Sequence, residues 1–409
     1  MREHLAFSVE RPRAGSAVMT ACVMVLAVVG FATCAAPPGE QDVQGAPDRG
    51  LPPPCSAATP LAGTLTLSPR PDARDGLTAW SFQYIESGWS TTLQGIVVKP
   101  PGSGPFAAVV VSHGGGGTAA GFGMTKAQQW FGPSGYLVIA PEYTHAGSTA
   151  TCSAAGDCAG SPENVKRATR SLDILESSQL AQTIGPVVRT DRLFLYGNSM
   201  GAGVTLETAE AVGCRVTAAA ITAGGLLPNL APSGEAGLAR VESPLIHLHG
   251  RLDTTVSPSS AEALSAGLAR YDRVHQLVWF PNARHEVHSD PATTTVCRDF
   301  IRAWFDTYRE DAAALLTAAN PPEGPIDTPV ELSGARLGTN PFDNSVLTFG
   351  GVRAAPSIWT DTRIVARVPP AATAGPIRVV VPQGPIDHAT VERPVAGGTR
   401  SNELAFRVR

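Results

Sequence analysis

A serine flanked by glycines, in the pattern Gly-x-Ser-x-Gly, occupies residues 197–201. The pattern follows the apolar run Leu193–Tyr196 and precedes a helix-compatible run that begins at Gly201. A serine on such a strand-to-helix turn is strained and exposed, and the glycines let neighbouring backbone pass where a Cβ would clash. The start of a helix also favours developing negative charge. The pattern therefore predicts that Ser199 is a nucleophile, the alternative being a helix-capping serine in a glycine-rich turn.

A second glycine-rich segment, His-Gly-Gly-Gly-Gly at residues 113–117, follows the apolar run Ala107–Ser112. Backbone without side chains can aim an N–H group at an oxyanion. We expect the N–H of Met200 and that of Gly114 or Gly115, with Gly115 preferred, to form an oxyanion hole. The alternative is a flexible surface loop. The histidine of this segment precedes the nucleophile in the chain, so we expect it to make structural hydrogen bonds and not to act as the base.

A serine nucleophile needs a base, and the base needs a carboxylate that orients it. On strand–turn–helix scaffolds these follow the serine in the order acid, then histidine. Asp253 lies just after the candidate strand Pro244–His249, at the end where ligands meet parallel sheets; its alternative role is in a turn or cap. The next candidate strand, Gln276–Phe280, leads to two histidines. His285 is preferred over His288 as the base because it follows the strand sooner.

The remaining polar residues indicate neither a metal nor a nucleic-acid partner. His247 and His249 alternate within a strand and are expected to be packed. His, Cys and Asp residues nowhere show convincing metal-ligand spacing, so we expect no metal and no cofactor. The chain has 31 basic and 35 acidic side chains and a net charge of −4, which excludes the basic balance typical of nucleic-acid binding.

The elements that must position these residues alternate between short β-branched runs and amphipathic helical patterns from Gly63 to about Asn320. This alternation predicts an α/β fold with a doubly wound, mostly parallel sheet. One helix is expected to follow the cap Ser161, with Pro162 at its first position, and another to run from about Ala292 to Ala318. The candidate strands are Leu93–Lys99, Phe106–Ser112, Leu137–Ala140, Arg192–Tyr196, Val216–Ile221, Pro244–His249 and Gln276–Phe280.

Beyond Asn320 the helical period disappears. The segment Pro321–Pro325 is typical of a linker, and the Val- and Ile-rich runs after it are separated by Gly and Pro. This pattern predicts a small all-β sandwich. The sequence thus divides into a catalytic domain at residues 63–319 and a β-sandwich at residues 320–409.

The N-terminus is typical of an exported protein. Arginines precede the apolar run Ala17–Ala32, which is short for a membrane span of ~20 residues. We interpret residues 1–34 as a signal peptide and residues 35–62 as a flexible linker. The Phe-Ala-Thr-Cys sequence that ends at Cys34 resembles a bacterial lipobox, which predicts lipidation and membrane attachment there. Ordinary cleavage near Ala36 with release to the periplasm or medium, or a retained anchor, are the alternatives.

Export permits disulfides. Cys152 and Cys158 bracket a short loop and could pair with each other. If the lipobox cysteine is lipidated, Cys55, Cys214 and Cys297 leave an odd thiol, and the sequence does not decide which of them pair.

Four segments together resemble the dienelactone-hydrolase-like branch of the α/β-hydrolases, over roughly Leu93 to Tyr308. They are Gly-Asn-Ser-Met-Gly-Ala, the post-strand His-Gly-Gly-Gly-Gly, His-Gly-Arg-Leu-Asp-Thr-Thr-Val and Ala-Arg-His-Glu. The resemblance implies an α/β-hydrolase fold. Dienelactone hydrolases proper carry Cys where Ser199 stands, so the likeness moves towards serine esterases, including polyester hydrolases and acyl esterases. Such polyester enzymes often have an aromatic residue in the oxyanion loop, where this chain has glycine.

The C-terminal segment resembles an IPT/TIG domain, which implies an immunoglobulin-like sandwich. Such domains beside enzymes act as spacers or bind surfaces, and they imply no chemistry. The matching segments are residues 330–334, 346–351, 359–364, 368–369, 375–381 and 406–408.

The features together predict an exported serine hydrolase that cleaves small or polymeric carboxylic esters through an acyl-enzyme intermediate. One alternative is a prolyl-oligopeptidase-like peptidase, which has the same residue order, although no propeller is expected before Gly63. The other is a non-catalytic surface-binding protein in which the sandwich does the work. The presence of Ser199, Asp253 and His285 argues against that second alternative.

Overall fold

The computed structural model describes residues 57–409 except residues 87, 89–91, 144–161, 228–232, 311–312, 339–344 and 383–395. The predicted signal peptide with Cys34, most of the predicted linker, and Cys152 and Cys158, for which a pairing was considered, lie outside the described residues. Across the part of the chain that is described, no helix is both long enough and apolar enough to cross a membrane.

A twisted sheet forms the centre of the first domain. Its strands are β1 (Thr64–Arg70), β2 (Thr78–Ile85), β3 (Leu93–Lys99), β4 (Phe106–Ser112), β5 (Leu137–Pro141), β6 (Val188–Asn198), β7 (Ala218–Thr222), β8 (Leu245–Gly250) and β9 (His275–Phe280). They lie in the order β1-β2-β3-β5-β4-β6-β7-β8-β9. The six strands from β5 to β9 in this order are parallel, and β1 to β3 are antiparallel. The predicted mostly parallel sheet is confirmed.

Four of the parallel strands are buried along their whole length, whereas β1 and β2 at the other side of the sheet are partly exposed. Every residue of β5, β7, β8 and β9 is buried, as expected for parallel strands with helices on both faces. All seven strands that the sequence predicts are present. The sequence pattern does not single out β1 and β2, because their partly exposed, polar-interrupted sequences lack a continuous apolar run.

Helices cover both faces of this sheet. The helices are α1 (Met124–Lys126), α2 (Pro162–Leu175), α3 (Ser178–Ile184), α4 (Met200–Val212), α5 (Gly234–Gly237), α6 (Pro258–Arg270) and α7 (Thr294–Arg309). One face carries α2 to α4 and α6, and the other carries α7 together with a segment in which α1 lies between two π-helical turns. The π-turns are Ala119–Gly123 and Ala127–Phe131, and 3-10 turns occur at Gly132–Ser134, Gly213–Arg215 and Leu238–Arg240.

The last helix is shorter than the sequence predicts. It ends at Arg309 instead of continuing to Ala318, and residues Leu315–Asn320 form the first strand of the sandwich, β10. The Ala- and Leu-rich sequence there suits a helix locally, but β10 pairs with strand β12 (Pro329–Ala335). Tertiary pairing therefore overrides local helix propensity.

The predicted linker is also part of the sandwich. Within Pro321–Pro325, residues Glu323–Gly324 form strand β11, which pairs with the C-terminal strand Leu404–Val408. The domain boundary therefore lies near residue 314, before the predicted boundary at residues 319–320. Proline and glycine mark the crossing from one sheet of the sandwich to the other, where the chain must turn.

The C-terminal domain consists of two packed, mainly antiparallel sheets. Its further strands are β13 (Val346–Phe349), β14 (Val352–Ala354), β15 (Pro356–Trp359), β16 (Arg363–Arg367), β17 (Gly375–Val381), β18 (Ala396–Gly397), β19 (Thr399–Arg400) and β20 (Leu404–Val408). One sheet has the order β10-β12-β16-β15 and the other β11-β20-β17-β13-β14, with β19 beside β17. A separate apolar core lies between the sheets, which confirms the all-β sandwich.

The sandwich contributes a strand to the catalytic sheet. Strand β18 pairs antiparallel with β9, and the N–H of Gly398 donates to the carbonyl of His275 at 2.9 Å. Arg400 donates to both the carboxylate and the carbonyl oxygen of Asp272, at 2.8 and 3.2 Å. The sandwich therefore covers backbone groups of β9 that an uncovered edge strand would present to solvent.

The two described cysteines differ in state. Cys214 is in a disulfide whose partner lies outside the described residues, and Cys297 is a free thiol buried in α7. Burial raises the pKa of the Cys297 thiol to about 12, so it remains protonated at neutral pH. A structural disulfide is typical of proteins that fold outside a reducing compartment.

A chain that ends at Glu310 should lose stability while keeping its chemistry. Truncation removes β18 and Arg400 and leaves β9 as an edge strand, so we expect the thermal midpoint to fall by about 5 °C or more. Turnover of a small soluble ester should persist, because Ser199, Asp253 and His285 all remain. Arg400→Ala in the full chain should give a smaller fall in midpoint. A folded truncated protein with an unchanged midpoint would show that the covered edge adds no stability.

Candidate active site

The backbone at Ser199 adopts a conformation that L-residues rarely occupy, with φ 52° and ψ −114°. A Cβ on Gly197 would lie 2.0 Å from the Gly201 carbonyl oxygen, and one on Gly201 would lie 2.1 Å from the Ser112 carbonyl oxygen. Both flanking glycines are therefore required by close backbone contacts. The N–H of Ser199 donates to the carbonyl of Thr222 at 2.9 Å, which helps hold the strained residue in place.

Ser199, His285 and Asp253 form a continuous hydrogen-bonded chain. His285 Nε2 lies 2.9 Å from Ser199 Oγ, and His285 Nδ1 lies 2.8 Å from Asp253 Oδ2. Because an ionised carboxylate can only accept, the ring proton belongs on Nδ1, and Nε2 can accept the serine proton. The His285 side chain is 16% exposed, whereas that of Asp253 is fully buried. This arrangement matches the geometry of a nucleophile, a base and an orienting acid.

Several donors hold Asp253 as a carboxylate. Its Oδ1 atom accepts the backbone N–H groups of Thr255 and Val256, at 2.8 and 2.9 Å. Burial acts to raise the pKa of Asp253, but the hydrogen bonds from His285 and the backbone outweigh it, and the pKa lies below its ordinary value. Asp253 is therefore ionised at neutral pH and can stabilise an imidazolium at His285.

A second imidazole also contacts the acid, and sequence reasoning missed it. His249 Nε2 lies 3.4 Å from Asp253 Oδ2 and 3.0 Å from the carbonyl oxygen of Val256. A carbonyl only accepts, so Nε2 carries the proton, and Nδ1 is left to accept from His247 Nε2 at 3.2 Å. Burial lowers the pKa of both histidines, which keeps them neutral. No local sequence pattern indicated this contact, because His249 lies near the end of a strand and Asp253 lies in the turn that follows it.

His288, the alternative base, lies further into the domain. Its ring is buried against Phe122, with a centroid distance of 5.5 Å. Burial lowers the pKa of His288 to about 3, and the nearby charges of Lys126 and His285 act in the same direction. Of the two histidines, His285 is the one that contacts Ser199.

The glycine-rich segment at residues 113–117, here called the oxyanion loop, lies beside the nucleophile. A Cβ on Gly114 would lie 3.5 Å from Ser199 Cβ and 3.0 Å from Asn198 Nδ2, so space is limited there. Gly115 is exposed, and a Cβ on it would meet nothing within 4 Å. Met200 begins α4 directly after Ser199. The assignment of the Met200 and Gly115 N–H groups as oxyanion donors stays a prediction.

The chain matches the sequence models of two known families. The sequence model of the dienelactone hydrolase family matches residues 93–316, more than half of the chain. The chain belongs to the dienelactone hydrolase family. The model of the IPT/TIG domain matches residues 314–399, which covers most of the sandwich. The protein is therefore a hydrolase of the α/β type followed by a TIG domain.

Solved structures of similar fold include esterases and peptidases. A cold-adapted esterase from an Arctic intertidal metagenomic library is 16% identical, with a TM-score of 0.44 over 57% of this chain and 98% of its own. An acetyl xylan esterase from Paenibacillus is 17% identical, with a TM-score of 0.42 over 56% and 84%. An acylaminoacyl peptidase from Pyrococcus horikoshii is 15% identical, with a TM-score of 0.43 over 60% and 41%. No curated protein sequence matches the chain.

In this hydrolase, two side-chain hydrogen bonds hold the first residue of the oxyanion loop. His113 Nδ1 lies 2.9 Å from the Gly114 carbonyl oxygen, and Nε2 lies 2.9 Å from Glu142 Oε1. The ring also packs on Tyr143, with the ring centroids 4.0 Å apart, and Glu142 Oε2 accepts the N–H of Ala119. The Glu142 contact is a feature that the sequence pattern did not indicate.

The described part of the chain contains no cluster of side chains that could bind a metal ion. No three His, Cys, Asp or Glu side chains among the described residues are arranged to hold an ion. The polar groups at the site are instead paired with each other in the contacts above.

Alanine substitutions of His285 and His288 should show which histidine is the catalytic base and which one only packs in the core. His285→Ala should lower kcat on an ester by ~10⁴-fold or more, because Ser199 loses its proton acceptor. His288→Ala should keep kcat close to that of the wild type and lower the thermal midpoint instead, since it removes a buried ring. Steady-state kinetics and thermal unfolding of both variants check this. A folded His285→Ala enzyme of near-normal kcat would contradict the assignment of the base.

Proposed function

We propose that the protein cleaves carboxylic esters through an acyl-enzyme intermediate on Ser199. The observation that carries the proposal is the chain of two short hydrogen bonds from Ser199 through His285 to the buried Asp253. The triad lies at the carboxyl ends of parallel strands, where substrates reach such sheets. Membership of a hydrolase family supports bond cleavage by water but leaves the bond type open.

In the acylation step, Ser199 Oγ attacks the ester carbonyl carbon while its proton passes to His285 Nε2. The resulting imidazolium remains hydrogen-bonded to the Asp253 carboxylate. The carbonyl oxygen becomes an oxyanion, for which the N–H groups of Met200 and Gly115 are the proposed donors. The tetrahedral intermediate then expels the alcohol, which takes the proton from Nε2, and Ser199 is left acylated.

In the deacylation step, the same groups act on water. Neutral His285 accepts a proton from a water molecule as its oxygen attacks the acyl carbon, and it returns the proton to Ser199 Oγ as the acid product leaves. The 16% exposure of the His285 side chain allows water to approach, while burial of Asp253 keeps its charge unscreened. No further group is needed to balance the reaction.

Apolar side chains beside the nucleophile support a substrate with an apolar portion. Met200 and Leu227 pack on Val256, which lies in the loop that carries Asp253. Leu252, immediately before the acid, is 52% exposed. An exposed leucine beside a triad offers apolar surface that a substrate can cover. These side chains support an ester whose acyl or alcohol part is hydrocarbon.

Ester and amide hydrolysis would use the same triad, so the substrate must be tested directly. We expect p-nitrophenyl esters of increasing acyl length to be turned over with a kcat/KM well above that for a peptide anilide. Ser199→Ala should abolish turnover of every ester, with a loss of ~10⁶ in kcat. Val256→Ala should shift the preferred acyl length, because it changes the apolar surface that Val256 forms with Met200 and Leu227.

The control is Val330→Ala, which makes the same substitution at a buried position of the sandwich, away from Ser199. It should leave the acyl-length profile unchanged. Faster cleavage of the anilide than of every ester would reject the ester proposal in favour of a peptidase. Turnover that survives Ser199→Ala would reject the mechanism itself.

A further inference from the structure

One buried lysine contacts the loop that carries the histidine next to Ser199. The chain contains 28 arginines but three lysines, and Lys126 is 3% exposed. Its Nζ atom donates to the carbonyl oxygen of His288 at 3.0 Å. Because burying an ammonium group is costly, a buried lysine near an active site calls for an explanation in terms of what it holds.

Aromatic rings surround the amine. Lys126 Nζ lies 3.4 Å from the centroid of the Trp130 ring and 5.3 Å from that of Phe122. The titratable groups that face it are Cys297 of α7 and His288. Burial lowers the pKa of Lys126 to about 7. A lysine can lose its charge in such a site, whereas an arginine cannot.

Lys126 belongs to the segment that continues from the oxyanion loop. Thr118 caps the first turn of this segment by accepting the N–H of Gly121 at 3.0 Å. The turns on either side of α1 are both π-helical. Such π-turns inside helices often occur at functional sites, where they re-aim a side chain. Here they flank the short helix whose last residue is Lys126.

The carbonyl that Lys126 holds belongs to the base loop, defined here as residues 281–293, which carries His285. The His288 carbonyl also accepts from Thr294 Oγ1 at 2.9 Å, and Thr293 Oγ1 donates to the Val287 carbonyl at 2.8 Å. Thr293 and Thr294 lie at the start of α7, so their bonds hold the loop to its own helix. The Lys126 bond instead connects the base loop to the segment after the oxyanion loop.

We propose that Lys126 is a positioning residue that fixes the base loop relative to the oxyanion loop, so that His285 stays aligned with Ser199. The inference rests on the proposed serine mechanism and adds a residue that touches neither substrate nor the reacting atoms. Misplacement of a reacting group by about 1 Å can cost ~10²-fold in rate. A single side chain that connects the base loop to the segment after the oxyanion loop thus bears on turnover more than on binding.

Burial of Lys126 also predicts how the free energy of unfolding depends on pH. The pKa of Lys126 is lower in the folded protein than in the unfolded chain, so between pH 7 and about 10 the unfolded chain binds more protons and stability rises with pH. At pH 7 and below, folding buries a charged amine. Lys126→Met keeps the length of the side chain and removes this cost. The variant should be as stable as the wild type or more stable near pH 6, with the difference shrinking towards pH 10.

The test compares Lys126→Met with Lys99→Met. Lys99 also donates to backbone carbonyls, those of Pro100 and Gly102, and lies 5.7 Å from the Phe106 ring centroid, but it is remote from the base loop. We expect Lys126→Met to lower kcat by about 10-fold or more. KM should change less, and the rate at which a fluorophosphonate probe labels Ser199 should fall in parallel. Lys99→Met should leave all three unchanged.

Conservative variants separate positioning from simple packing. Lys126→Arg keeps a donor and should restore part of the lost kcat. If Lys126→Met does not fold, Lys126→Gln, whose shorter side chain no longer reaches the His288 carbonyl, should lower kcat in the same direction. A folded Lys126→Met enzyme with the kcat and labelling rate of the wild type would overturn the proposal. If Ser199→Ala remains active, the serine mechanism fails instead, so the two failures can be told apart.

Discussion

The close contact between Gly201 and the Ser112 carbonyl determines how the rest of the active site is arranged. There, the start of α4 crosses the end of β4 with no space for a side chain. This contact places Ser199 at the top of the sheet in a strained conformation and sets the oxyanion loop, which follows Ser112, against it. The acid and base loops follow β8 and β9, so all of the reacting groups meet at one edge.

Most of the catalytic domain could be predicted from the sequence because parallel strands buried on both faces leave continuous apolar runs. The Gly-x-Ser-x-Gly pattern identified the turn, and chain order then pointed to Asp253 and His285. In the structure, His285 lies within hydrogen-bonding distance of both Asp253 and Ser199. Strands β1 and β2 lack such runs. The segment after Arg309 suits a helix locally, and its pairing with a strand of the sandwich could not be known from that segment alone.

Most of the contacts that sequence reasoning missed join residues far apart in the chain, and the contact between His249 and Asp253 is the exception. Glu142 holds His113 across 29 positions, Lys126 holds the His288 carbonyl across 162, and Arg400 holds Asp272 across 128. None of these pairs has a periodic or motif signature. They are ion pairs or hydrogen bonds between loops and domains, and they fix the relative positions of elements that the local sequence specifies only one at a time.

The proposed reaction depends most on covalent catalysis by Ser199. The direct measurement is the mass of the enzyme quenched in acid during turnover of a slowly hydrolysed ester, followed by peptide mapping. Acylation of Ser199 predicts that the mass increases by that of the acyl group, on the peptide that contains Ser199, and that the increase disappears when the substrate is exhausted. Turnover without any acylated enzyme, or an acyl group on a different residue that forms and decays at the turnover rate, would contradict it.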